Sequence, residues 1–81
     1  MILHKEQCLA LVANKAIVFV RDGYDKLGRR RLVKRKAVGA FGVKVGRHSE
    51  WGVMFDKPIQ DGDCTGVLYK YIEKVERKEK I

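Results

Sequence analysis

Residues 26–47 carry nine basic side chains and no acid: Lys26, Arg29, Arg30, Arg31, Lys34, Arg35, Lys36, Lys44 and Arg47. Threaded through them are Leu32, Val33, Val38, Phe41, Val43 and Val45. A charge run with no apolar anchors is usually a solvated tail. This one has anchors, so a basic strand, or a hairpin arm, pinned to a small core is expected. Over residues 29–36 a strand would put Arg29, Arg31, Val33 and Arg35 on one face and Arg30, Leu32, Lys34 and Lys36 on the other. Neither face is apolar throughout, which predicts an edge strand or a projecting arm. Lysines on such an edge also discourage pairing with other chains.

The flanking sequence reads as further short strands. Residues 16–21 hold Ile17, Val18, Phe19 and Val20 in one run, the composition of a strand buried on both sides or nearly so. Asp22-Gly23 should stop it, with a polar loop to Gly28. In residues 38–45, Phe41, Val43 and Val45 alternate to one face, and Gly39 and Gly42 mark bends or close backbone approach. A loop over residues 46–50 then turns the chain. Trp51, Val53 and Phe55 alternate against Gly52 and Met54 until Pro58. The last strand is expected over residues 66–75, with Val67, Tyr69, Tyr71 and Val75 on one face. The charged end, residues 76–80, should fray or form a helical turn.

Residues 1–13 admit two readings. HKEQCLALVA is rich in good helix formers, with Leu9, Val12 and Ala13 on one arc beside Ile2 and Cys8. CLALVA and AIVFV could instead pair as a hairpin across Asn14-Lys15. Asn-Lys is a weaker hairpin turn than Asn-Gly, which favours the short helix. The fold class expected is therefore mainly β: a small barrel of four to five strands, with a short N-terminal helix.

Eighty-one residues make one domain, 1–81, near the lower size limit for unaided folding. Deep catalytic clefts are hard to build at this length, so a binding module is expected rather than an enzyme. A formal net charge of +8 implies attraction to polyanions. Cys8 and Cys64 are too few for a disulfide framework and suit a reducing compartment, although a single bridge between them is open. Residues 8–20 are interrupted by Asn14 and Lys15 and are too short to span a membrane. Glu6 makes the start a poor signal peptide. A cytoplasmic protein, or one associated with a nucleoid or nucleus, is expected. No CxxC pair joins His4, Cys8, His48 and Cys64 into a zinc pattern, so neither metal nor cofactor is expected.

The run W-G-V-M-F-D-K-P over residues 51–58, followed by D-G-D-C-T-G-V-L-Y over residues 61–69, resembles the second half of SH3-like barrels. The single pattern it is most similar to is the CAP-Gly domain. That family has a W-x-G-V-x-L-D-x-P strand, a loop ending in Asp-Gly and a G-x-x-Y-F strand. This chain has one residue fewer after Trp51 and no Lys-Asn before Asp61-Gly62. Its alternating strands and glycines also resemble KOW and Tudor-like barrels, which often serve nucleic-acid machinery. The resemblance implies an SH3-like barrel. It also implies an alternative function as a protein-interaction module. Trp51, Phe55, Asp61, Gly62 and Tyr69 would then grip an acidic partner, or dock on RNA polymerase or the ribosome.

The residues themselves point first to nucleic acid, DNA before RNA. Lysine and arginine neutralise phosphates and release counterions, which drives affinity without regard to sequence. Arg29, Arg30, Arg31, Lys34, Arg35 and Lys36 are the expected affinity set. Lys26, Lys44, Arg47 and the exposed Tyr24 form its rim. No base-reading helix is evident, so transcription or chromosome organisation through phosphate contacts is the expected role. An exposed edge strand would also permit a homodimer.

Overall fold

The computed structural model describes residues 2–76. The expectation for the charged end beyond Glu76 lies outside the described residues, as does the Asp61 side chain.

Among the described residues, six strands and one α-helix form a mainly β, curled half-barrel. After β1 (Ile2–Leu3) comes α1 (Lys5–Ala13), the helix that the residue preferences favoured. Its sheet-facing stripe is Cys8, Leu11 and Val12, spaced i, i+3, i+4. Leu9 and Ala13, expected on that arc, are exposed instead. Asn14 and Lys15 lead into β2 (Ile17–Tyr24). β3 (Arg30–Val45) is a single sixteen-residue strand, where sequence suggested two. The two halves join at a register shift between Ala37 and Gly39, so the expected bend is a bulge within one strand. Gly46-Arg47 forms a two-residue turn, because Val45 pairs with His48 at the head of β4 (His48–Phe55). The loop expected to run to Glu50 is shorter than that.

Pairing explains the curl. The first half of β3, from Arg30 to Lys36, pairs only with β2, and its second half only with β4. One strand thus belongs to two sheets that turn away from each other at the bulge. β5 (Gly66–Leu68) pairs with β4. A 3-10 turn over Tyr69–Tyr71 then carries the chain across to β6 (Ile72–Val75), which pairs with β2. The single last strand expected over residues 66–75 is overturned: it is two strands on different sheets, and the common face proposed for Val67, Tyr69, Tyr71 and Val75 does not exist.

The core is Cys8, Val18, Val20, Ala37, Val53, Phe55 and Ile59. Burying each large aliphatic or aromatic side chain contributes about 1.5–3 kcal/mol. β2 buries Val18 and Val20 on one face while Ile17 and Phe19 are half-buried on the other, so it is not enclosed on both sides. Nor does it stop at Asp22-Gly23. Those two residues form a bulge, with Gly23 at φ 74°, and the strand resumes at Tyr24 opposite Arg30. Asp22 is buried, and its carboxylate accepts the Gln60 N–H at 3.0 Å, holding the 56–65 loop over the core. Cys8 is buried and Cys64 exposed, both as free thiols; burial pushes the Cys8 thiol up from its ordinary range. Among the described residues no helix is long and apolar enough to cross a membrane.

Candidate nucleic-acid interface

The turn that joins β2 to β3 is built by one carboxylate. The Asp25 N–H donates to the Arg29 carbonyl at 2.8 Å, and the Gly28 N–H donates to the Asp25 carbonyl at 3.0 Å. Gly28 then takes φ 79°, which a side chain would resist. Asp25 Oδ1 accepts the N–H groups of Leu27 and Arg29, both at 2.9 Å, and Oδ2 meets Arg29 Nε at 3.1 Å. The bond from the Arg29 amide, with those from the Leu27 amide and the guanidinium, holds the Asp25 carboxyl below the usual carboxylate range. A lowered value means that the carboxylate stabilises the turn above the ordinary range, and that this contribution disappears as pH falls through the lowered value. In an NMR titration the Leu27 and Arg29 amides should therefore shift together with a midpoint below that of a free aspartate. Asp25→Asn, which keeps an acceptor oxygen, should disturb them less than Asp25→Ala. A midpoint at the free-aspartate value would contradict the cage.

Beyond this turn the hairpin is open to water. Residues 26–32 are exposed without interruption, and Tyr24 is 61% exposed, as expected of it. On the β2 side Arg21 donates to the Tyr24 hydroxyl at 3.2 Å and lies 5.6 Å from its ring centre. Register places Arg30, Leu32, Lys34 and Lys36 opposite Tyr24, Arg21, Phe19 and Ile17, so these eight residues share the outer face. Lys34 Nζ and, from β6, Lys74 Nζ lie 5.5 and 5.6 Å from the Phe19 ring centre. Cation–π contacts of this kind hold ammonium groups over an aromatic face without neutralising them. Arg21, Phe19 and Lys74 were not foreseen as site residues. They arrive through long-range pairing, and sequence alternation alone gives no sign of it.

Three cations of the set meet carboxylates: Arg29 with Asp25, Arg30 with Glu73 at 3.0 Å, and Lys34 with Glu76 at 3.6 Å. Such exposed pairs are worth about 0–1 kcal/mol, so a phosphate can compete for them. Lys26, Arg31, Lys36 and Lys74 have no ion pair among the described residues. Arg35 differs from its neighbours. It is half-buried, and its guanidinium donates to the carbonyls of Lys34 (2.7 Å) and Pro58 (3.0 Å). It ties the 56–60 loop to the open edge of β3 and is not displayed with the other cations. That edge, over Leu32 and Lys34, agrees with the edge strand expected from sequence.

The rim is divided. At about 3.3 Å per residue, Arg30 to Lys36 spans about 20 Å, and Lys44 lies about 26 Å further along β3. Lys44, opposite Ser49, and Arg47, in the next turn, therefore lie beyond the bulge, on the half of β3 that pairs with β4, and not on the hairpin. Three residues of the alternative site are engaged within the fold. Phe55 is core, Trp51 is half-buried with Lys5 Nζ 5.4 Å from its ring, and Tyr69 stacks on His4 at 4.5 Å. Gly62, at φ 71°, lies in a 3-10 turn beside exposed Cys64. Among the described residues no three His, Cys, Asp or Glu side chains gather as a metal site would need. Comparison with protein-family models, curated proteins and solved structures finds no match to this chain.

Proposed function

We propose that this chain is a non-catalytic DNA-binding module of SH3-like architecture that holds duplex DNA by its phosphates through the β2–β3 hairpin. The connectivity supports the architecture: β3 is shared by two sheets, a 3-10 turn separates β5 from β6, and β6 returns to β2. Fold does not carry function, so the functional reading rests on the surface. The observation that carries it is the uninterrupted exposure of residues 26–32, four of them cationic, on a hairpin whose outer face continues into Lys34, Lys36 and Lys74. Arg29, Arg30, Arg31, Lys26, Lys34 and Lys36 make the contacts. Arg35 positions the strand, and Arg21 and Tyr24 stiffen its base. Arginine suits the tip because its planar fork matches phosphate oxygens.

A fluorescent duplex of arbitrary sequence, titrated with the protein at several salt concentrations beside a matched RNA, tests this. If about five phosphates are neutralised, log K against log salt should fall with a slope of roughly −4 to −5. DNA should bind at least as tightly as RNA. A flat salt response, or no binding at low salt, would sink the reading and turn attention to an acidic protein partner.

A further inference from the structure

We infer that Leu27 is a wedge: the hairpin tip enters the minor groove of duplex DNA, inserts the Leu27 side chain between two base pairs and bends the duplex. The inference rests on the DNA-binding reading above and adds to it a mode of binding and a consequence for the DNA.

Leu27 is 75% exposed, the most exposed large apolar side chain among the described residues. It packs against nothing in the core cluster, so the fold gives no reason for a leucine there. Isolated surface leucines are ordinary. This one is distinguished by where it stands and how it is held. Lys26 precedes it, and Arg29, Arg30 and Arg31 follow Gly28, so the apolar tip is ringed by groups that seek phosphates.

The tip is also fixed in advance. Two backbone bonds close it, and Asp25 fastens both the Leu27 and Arg29 amides from inside the turn. A side chain on a pre-ordered turn loses little freedom when it inserts. Asp25 would ordinarily repel a phosphate backbone. Its charge is turned inward instead, onto two amides and the Arg29 guanidinium.

Apolar wedges of this kind unstack one base step and kink DNA by roughly 20–90° toward the major groove. An undistorted minor groove is only about 6 Å wide, too narrow for a two-stranded ribbon with side chains. Entry of the hairpin and bending of the duplex therefore go together. Pyrimidine–purine steps, which unstack most readily, are the preferred points of insertion.

The test is energy transfer between dyes at the two ends of a short duplex with a central TA step, measured for the intact chain and for Leu27→Ala. Leu27 is outside the core, so thermal unfolding of the variant should match the parent and exclude a folding defect. The parent should raise transfer on binding. Leu27→Ala should keep the salt slope and bind within about threefold, yet leave transfer at its free-duplex value. Placing a mismatch at the central step should tighten the parent at least about tenfold and leave the variant unchanged, since the mismatch removes an unstacking cost that only the wedge incurs. Equal bending by Leu27→Ala, or binding by the parent without bending, overturns the wedge while leaving DNA binding intact. Failure of the parent to bind any duplex at low salt overturns both.

Discussion

Gly52→Ala should lower the unfolding free energy by at least about 3 kcal/mol, the upper range for overpacking a tight interior. A Cβ at position 52 would run into the Val67 carbonyl oxygen, and would lie 2.8 Å from both Leu68 Cα and the Phe41 ring. Two of those obstacles are backbone of β5, so no rotamer change relieves them. β5 is only three residues long, and among the described residues it pairs with β4 alone. The clash should therefore detach β5 and unseat the 3-10 turn behind it. Gly39→Ala on the same sheet is the control: its Cβ would meet Met54 Cβ at 3.7 Å, an ordinary contact, and the variant should fall within about 1 kcal/mol of the parent. Urea unfolding of the two variants measures the difference. Equal stability for Gly52→Ala and Gly39→Ala would mean that β5 does not lie against β4 as described.

Replacing Arg29, Arg30 and Arg31 together by alanine should have the largest effect on DNA binding. Each phosphate contact contributes about 0.9 to the salt slope. If electrostatic affinity vanishes near 1 M salt, each contact is worth about eightfold at 0.1 M, and three are worth about 500-fold. The slope should flatten by nearly three units, and the loss should be the same on every duplex sequence. Arg29 and Arg30 leave only solvent-exposed ion pairs behind, so stability should change by less than about 1 kcal/mol. The matching triple Lys36, Lys44 and Arg47 to alanine should cost less, because only Lys36 lies on the hairpin. If the two triples weaken binding equally, the interface is the whole basic surface and not the hairpin.

What the sequence disclosed followed from local signals. The alternation of Trp51, Val53 and Phe55 against Gly52 and Met54 is the pattern of β4, and the split faces of residues 29–36 anticipated an edge. Helix-forming residues before Asn14-Lys15 produced α1. The failures share a cause: each was decided by a distant partner. Asp22-Gly23 has the composition of a turn, but Asp22 is needed inside the sheet to satisfy the Gln60 N–H. Ile59, one apolar residue in a polar loop, belongs to the core because the loop is held over the sheet by the bond from Gln60 to Asp22. The break at Tyr69–Tyr71 carries no glycine or proline, so nothing local announced it. For the site, the cations of the hairpin were legible as a run. The contributions of Phe19 and Lys74, and the withdrawal of Arg35, depend on which strand lies beside which.

The pairing of β6 with β2 also sets the order in which the molecule can be made. It joins Val18 to Val75 and Val20 to Ile72, the most distant strand pairing in sequence among the described residues. Closing so long a loop is entropically costly before any contact repays it, and folds dominated by such pairings form in milliseconds to seconds. The β2–β3 and β3–β4 hairpins, whose partners are close in sequence, can form while the chain is still being synthesised. Val18 and Val20 then wait on one edge of β2, unpaired, until Val75 has emerged. Until that moment the basic hairpin stands on an unfinished sheet, and the open edge of β2, with Arg21 as its one cation, could pair with a neighbouring chain.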